Sequence, residues 1–161
     1  LGIVGYGDIG QRVAEIARFF GMEILIAERP ESTPRPGRLS FNEVLARSDI
    51  LTLHCPLTSE NAELINAKTI GLMQRGAFLI NTARGGLIDE QALVDALREK
   101  KLGGAALDVL STEPPPADHP LQAKLPNLIL TPHCAWASAE ARQTAIDQTV
   151  GNITRYLNAK R

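Results

Sequence analysis

Leu1-Gly2-Ile3-Val4-Gly5-Tyr6-Gly7-Asp8-Ile9-Gly10 opens the chain, and the fold turns on how this stretch is read. Leu1–Gly5 is a short apolar run that ends in glycine. Gly5, Gly7 and Gly10 then stand in the order G-x-G-x-x-G, with Tyr6, Asp8 and Ile9 between them. Such a hexapeptide arises easily by chance. Here a strand-like run precedes it and a helical pattern follows, which is the context that gives it meaning. Gly5 permits the tight turn, Gly7 lets a backbone approach a pyrophosphate, and Gly10 allows close helix–strand packing. The free N–H groups and positive dipole end of the next helix would meet the phosphates.

That helix is expected over Ile9–Phe20, with Ile9, Val13, Ile16, Ala17 and Phe20 as its apolar stripe and Phe19-Phe20 in the core. Gly21 stops it, and Glu23–Ala27 reads as the next strand. A dinucleotide site needs an acid about 20 positions beyond the glycines, at the end of the second strand. Glu28 stands there, placed to accept hydrogen bonds from ribose hydroxyls and to repel a 2′-phosphate, which favours NAD. Arg29 next door offers a guanidinium to that phosphate, which keeps NADP open. Three prolines and a glycine mark Arg29–Arg38 as an exposed loop.

The alternation continues along the chain. Ser40 and Glu43 have capping-box spacing for a helix through Arg47, and Ile50–Leu53 is a strand. Ala67–Met73 reads as helix and Ala77–Asn81 as strand. Asp89 caps a helix over Glu90–Lys100. Gly104–Leu107 and Leu128–Leu130 are two more strands, and Ser138 caps a final helix to about Leu157. Apolar strands alternating with amphipathic helices imply an α/β fold: a doubly wound parallel sheet of Rossmann type, covered on both faces, in one dinucleotide-binding domain over residues 1–161.

The bulk numbers fit a globular domain, with 44% hydrophobic and 22% charged residues among 161. A formal net charge of −1 gives no global field for nucleic acid or an anionic membrane. No apolar run approaches the roughly 20 residues of a membrane helix. Cys55 and Cys134 lie far apart, outside any disulfide-framework or metal-ligand spacing, so both read as small buried hydrophobes in a reducing cytoplasm. The chain starts inside an apolar run without Met, which reads as a cut.

Polar residues close three of the expected strands, where open α/β sheets place ligands. Asn81-Thr82-Ala83-Arg84-Gly85-Gly86 sets an arginine fork before two glycines, suited to gripping a carboxylate. Leu107-Asp108-Val109-Leu110-Ser111-Thr112-Glu113-Pro114 ends one strand on Asp108 and anchors Glu113 before a run of prolines. Leu130-Thr131-Pro132-His133 sets a histidine at a strand end.

Together with Leu53-His54-Cys55-Pro56-Leu57-Thr58 and Gly86-Leu87-Ile88-Asp89-Glu90, these motifs resemble the D-isomer-specific 2-hydroxyacid dehydrogenases over essentially the whole chain. The resemblance implies a catalytic set. Arg84 would bind the substrate carboxylate and polarise the carbonyl, and His133 would donate the proton. Glu113 would orient His133 and keep it protonated when reduction starts. It also implies that Asp108 holds the nicotinamide carboxamide. Cys55, Pro56, Thr82, Ala83, Arg84, His133 and Ala135 would line the cofactor, while His54 and His119 are structural or solvated.

His133-Cys134-Ala135-Trp136 followed by Glu140-Ala141-Arg142-Gln143 looks most like the glycerate dehydrogenase/hydroxypyruvate reductase branch, making hydroxypyruvate and glyoxylate the expected substrates. Glu113 stands where the formate dehydrogenases of this family have Gln. The alternative of a different class is an NAD-sensing scaffold like the C-terminal-binding-protein corepressors. By the same resemblance a homodimer through this domain is expected. The family's separate substrate domain has no counterpart in the chain, which is therefore expected to bind dinucleotide with little turnover.

Overall fold

A computed structural model describes residues 1–160. The chain divides into two units, Leu1–Thr131 and the segment beginning at Pro132. The first contains six parallel strands: β1 (Gly2–Val4), β2 (Leu25–Ala27), β3 (Ile50–Leu53), β4 (Ala77–Asn81), β5 (Leu102–Leu107) and β6 (Leu128–Leu130). They lie in the order β2-β1-β3-β4-β5-β6. Helices α1 (Asp8–Phe19), α2 (Phe41–Arg47), α3 (Ala67–Leu72) and α4 (Glu90–Arg98) connect the first five strands. The expected doubly wound parallel sheet is the observed one.

Parallel crossovers are right-handed. The chain steps from β1 to β2 in one direction, then from β2 to β3, β4 and β5 in the other. Helix α1 therefore lies on one face, with α2, α3 and α4 on the opposite face. The larger core forms beneath those three helices. Leu51, Leu53, Leu79, Leu102 and Leu107 from the strands meet Val44, Leu45, Ile70, Leu93, Val94 and Leu97, all buried. Along β4 the side chains alternate: Ala77, Leu79 and Asn81 are buried, whereas Phe78 between them is half exposed.

Both faces carry helices as the sequence implied, but the second is covered over only part of its width. An apolar groove lined by Phe78, Ile80, Gly104, Ala106 and Ile129 stays open there. Among the described residues of this unit, α1 is the one helix on that side.

The stripe expected on α1 is corrected in part: Ala17 is buried as expected, but Ile9, Ile16 and Phe20 are not. Gly10, Ala14 and Ala17 are its buried residues, whereas Ile9, Ile16, Phe19 and Phe20 are exposed, Phe19 at 94%. Small residues at i, i+4 and i+7 bring the helix backbone down onto β1, and the bulky residues are pushed to its flanks. Position 10 shows how close the approach is, because a Cβ there would lie 2.2 Å from the Gly5 carbonyl oxygen.

Several helix starts follow the expected caps. Ser40 accepts from the Glu43 N–H at 3.3 Å and Asp89 from the Ala92 N–H at 3.0 Å. The Ser40 box is only half made, since the Glu43 carboxylate pairs with Arg47 at 3.0 Å. The reciprocal box occurs at α3. There Asn66 accepts from the Lys68 and Thr69 N–H groups, and Thr69 Oγ1 accepts from the Asn66 N–H.

In the second unit Ser138 caps α5 (Ala139–Asn158), accepting from the Ala141 N–H at 3.1 Å. Ile146, Val150, Ile153 and Leu157 form an exposed apolar row at helical spacing. No helix among the described residues is long and apolar enough to cross a membrane.

Gly10→Ala is expected to lower stability by about 1–3 kcal/mol, because the backbone it meets cannot yield as a side chain would. A urea midpoint equal to that of the parent protein would contradict the packing described.

Candidate functional site

The strand order reverses between β1 and β3, and an open α/β sheet offers a crevice at that point. Gly5 follows β1 with φ 94°, in the left-handed region, and a Cβ on it would lie 2.6 Å from the backbone of His54 and Cys55. The His54 N–H donates to the Val4 carbonyl at 2.7 Å, which ties the two strand ends together. Gly7 is the N-cap of α1 and gives the helix no side-chain cap. Nothing lies within 4 Å of where its Cβ would stand. The first turn of α1 thus presents uncapped N–H groups to open space, an arrangement that fits an anion.

Beside this turn a cleft is lined by Ile9, His54, Cys55, Pro56, Thr82, Ala83 and Arg84. Six of these were expected at a cofactor, and they come from the first turn of α1 and the ends of β3 and β4. His54 was expected to be structural or solvated, with no place at the cofactor. It borders the cleft and also bonds Thr52 Oγ1 through Nε2 at 3.0 Å, and burial lowers its pKa. Burial raises that of the half-buried Cys55 thiol. Cys134, expected to be buried, is exposed.

The turn after β4 is shaped by Asn81, which is fully buried. Its side chain accepts from the Ala83 N–H and donates to the Arg84 carbonyl, both at 2.9 Å. Arg84 is exposed, and its Nη1 donates to the Ala83 carbonyl at 2.6 Å. Gly85 packs so tightly that a Cβ would lie 1.9 Å from the Leu110 carbonyl carbon. The turns carrying Arg84 and Glu113 are therefore in backbone contact.

Glu113 Oε1 accepts from the Leu110 N–H at 2.8 Å. Asp108 is buried at the end of β5, and its carboxylate accepts from Thr131 Oγ1. Glu90, at the start of α4, accepts from the Ser111 N–H at 2.8 Å and its hydroxyl at 2.6 Å, and pairs with the buried His119 Nε2 at 2.9 Å. His119 Nδ1 accepts from the Leu121 N–H, so Nε2 carries the proton that Glu90 receives. Sequence reasoning missed Glu90 and Ser111 as anchors of the Glu113 loop, because three separated segments must meet to form them. His119 is structural, one of the two roles expected for it.

His133 and Ala135 lie in the second unit. His133 has φ 51°, and its carbonyl accepts from Trp136 Nε1 at 2.8 Å. Cys134 closes the same turn, its carbonyl accepting from the Ala137 N–H at 2.9 Å.

Glu28, at the end of β2, is buried and fully engaged. Arg35 grips it through Nε to Oε2 at 2.6 Å and Nη2 to Oε1 at 2.7 Å. The N–H groups of Arg29 and Arg35 add bonds at 3.0 and 3.4 Å, and Arg38 Nη1 stands 3.6 Å from Oε1. Arg29, expected to be the relevant cation, reaches Glu28 through its backbone. The guanidinium of Arg35 holds the Glu28 carboxyl down at about 2, against the opposing effect of burial.

A lowered carboxyl pKa stabilises the folded state above the unfolded value of 4.5, and that contribution is lost as pH falls toward about 2. Glu28→Gln is expected to flatten the fall in melting temperature across this window. An acid limb unchanged in the variant would contradict the Glu28–Arg35 pair.

Residues 1–135 match the D-isomer specific 2-hydroxyacid dehydrogenase, NAD binding domain family. The chain is 52% identical over 161 residues to a Haemophilus influenzae protein named as a 2-hydroxyacid dehydrogenase, covering 98% of the chain and 51% of that protein. It is 45% identical to a glycerate dehydrogenase of Methylorubrum extorquens, covering 99% and 50%. The NAD-complexed D-isomer specific 2-hydroxyacid dehydrogenase of Lactobacillus delbrueckii ssp. bulgaricus superposes with a TM-score of 0.88 at 29% identity, covering 98% and 52%. The chain spans about half the length of these relatives. It belongs to the D-isomer specific 2-hydroxyacid dehydrogenase family, of which it forms the NAD-binding domain.

Proposed function

We propose that this domain serves a D-2-hydroxyacid dehydrogenase that interconverts a small 2-oxoacid and its 2-hydroxyacid, with hydroxypyruvate/glycerate or glyoxylate/glycolate as the pair. The observation that carries the reading is the unfilled glycine turn opening beside the cleft at the strand reversal. The relatives named glycerate dehydrogenase, hydroxypyruvate reductase and glyoxylate reductase support the substrate class. None of those names favours the scaffold alternative.

The bound nicotinamide cofactor supplies or accepts the hydride. Gly5, Gly7 and Gly10, with the first turn of α1, hold its pyrophosphate. Cys55, Pro56, Thr82 and Ala83 line its wall, and Asp108 takes the carboxamide. Arg84 binds the substrate carboxylate with its planar fork and stabilises the negative charge that develops on the carbonyl oxygen. His133 gives that oxygen its proton, and Glu113 orients the imidazole. The protein acts as a cytoplasmic homodimer joined through this domain, and the exposed apolar residues Ile16 and Phe19 of α1, with Phe20 at its C-cap, support the pairing.

Gly7→Val is expected to keep the parent melting temperature, because its Cβ enters open space, and to abolish NADH binding measured by nicotinamide fluorescence. Undiminished binding would remove the glycine turn from the site. In the intact enzyme, His133→Ala is expected to lower hydroxypyruvate reduction by about 10²–10⁴-fold with NADH affinity nearly unchanged. Equal losses of affinity and turnover would contradict the proton-donor role.

A further inference from the structure

The acid that should read the adenosine ribose is already occupied. A carboxylate offers about four lone-pair sites. In Glu28 these meet the Arg29 N–H, Arg35 Nη2, Arg35 Nε and the Arg35 N–H. Its side chain is 3% exposed, so the pair is shielded from competing water on the carboxylate side. A ribose diol could bond to Glu28 only by displacing a bidentate guanidinium.

The arginine side of the pair is different. The Arg35 side chain is 61% exposed, and that of Arg38 is 22% exposed. Arg35 commits Nε and one Nη2 proton to Glu28, which leaves Nη1 and the second Nη2 proton uncommitted to that carboxylate on a side chain that is mostly exposed. The Arg38 N–H donates to the Arg35 carbonyl at 3.0 Å, which fixes the two arginines in one turn. Residues 28–38 contain Arg29, Arg35 and Arg38 against Glu28 and Glu31, so the segment is net positive.

We propose that Arg35 and Arg38 form a 2′-phosphate site at the adenosine end of the cleft. Glu28 is then a positioning residue for Arg35, and the protein takes NADPH at least as well as NADH. This rests on the dinucleotide reading above and assigns its adenosine specificity. A guanidinium suits the task because its fork matches phosphate oxygens and stays charged at all working pH values. Discrimination follows from the ion pair. A 2′-phosphate gains two cations, whereas a bare 2′-hydroxyl must compete with Arg35 for Glu28.

Calorimetric titration with adenosine 2′,5′-bisphosphate and with 5′-AMP tests this without the nicotinamide or any turnover. The bisphosphate is expected to bind at least tenfold more tightly. Arg35→Ala should lower its affinity tenfold or more while 5′-AMP binding holds or tightens, because Glu28 is released. Arg38→Ala should weaken the bisphosphate severalfold, and Glu28→Gln should cut the bisphosphate/5′-AMP ratio while the variant melts as a folded protein. Equal affinity for the two ligands, or a ratio unchanged by Arg35→Ala, overturns the 2′-phosphate site. If NADH still binds in that case, the dinucleotide reading survives alone. Failure of NADH and both adenosine ligands to bind overturns both.

Discussion

The close seating of α1 against β1, beside the end of β3, is the constraint on which the site depends. Gly10 puts the helix backbone where a Cβ would collide with the Gly5 carbonyl, and Gly5 occupies the space next to the His54–Cys55 backbone. The two glycines fix where the first turn of α1 points, and Gly7 leaves the space in front of it empty. An anion site made from backbone N–H groups needs such placement, because those donors cannot be re-aimed as side chains can. The same seating explains why α1 buries alanines and exposes Ile9, Ile16, Phe19 and Phe20.

A second set of contacts holds the carboxyl ends of β4 and β5. The turns after β4 and β5 touch through Gly85 and Leu110, with Asn81 shaping one of them and Glu90 tethering Ser111 in the other. Asp108 and Thr131 then tie the end of β5 to the residue after β6. Arg84 and Glu113 are thus carried on short turns braced by buried polar groups, which limits the freedom that would blur a reacting geometry.

The succession of strands and helices along the chain is legible where pattern and punctuation agree. β3, β4 and β6 fall on the residues expected, and the caps at Ser40, Asp89 and Ser138 are made as their side chains suggest. Misreadings arose where tertiary packing overrides local pattern. Helical periodicity chose the bulky residues of α1 as its core face, but the approach of two backbones selected the small ones. Capping-box spacing pointed to Ser40, yet Glu43 found Arg47, and the reciprocal box formed at Asn66 and Thr69. Glu28 was visible as an acid at the right distance from the glycines. That Arg35 and Arg38 fold back onto it depends on the path of a proline-rich loop, which no periodicity encodes.

In the function proposed, the glycine turn and the cleft beside it receive the dinucleotide. An amide chemical-shift map on addition of NAD tests it most directly. The largest changes are expected at Gly5–Gly10, Cys55, Thr82 and Ala83, with smaller ones around Glu28. Changes confined to the apolar groove at Phe78, Gly104 and Ile129, with the glycine turn silent, would contradict it.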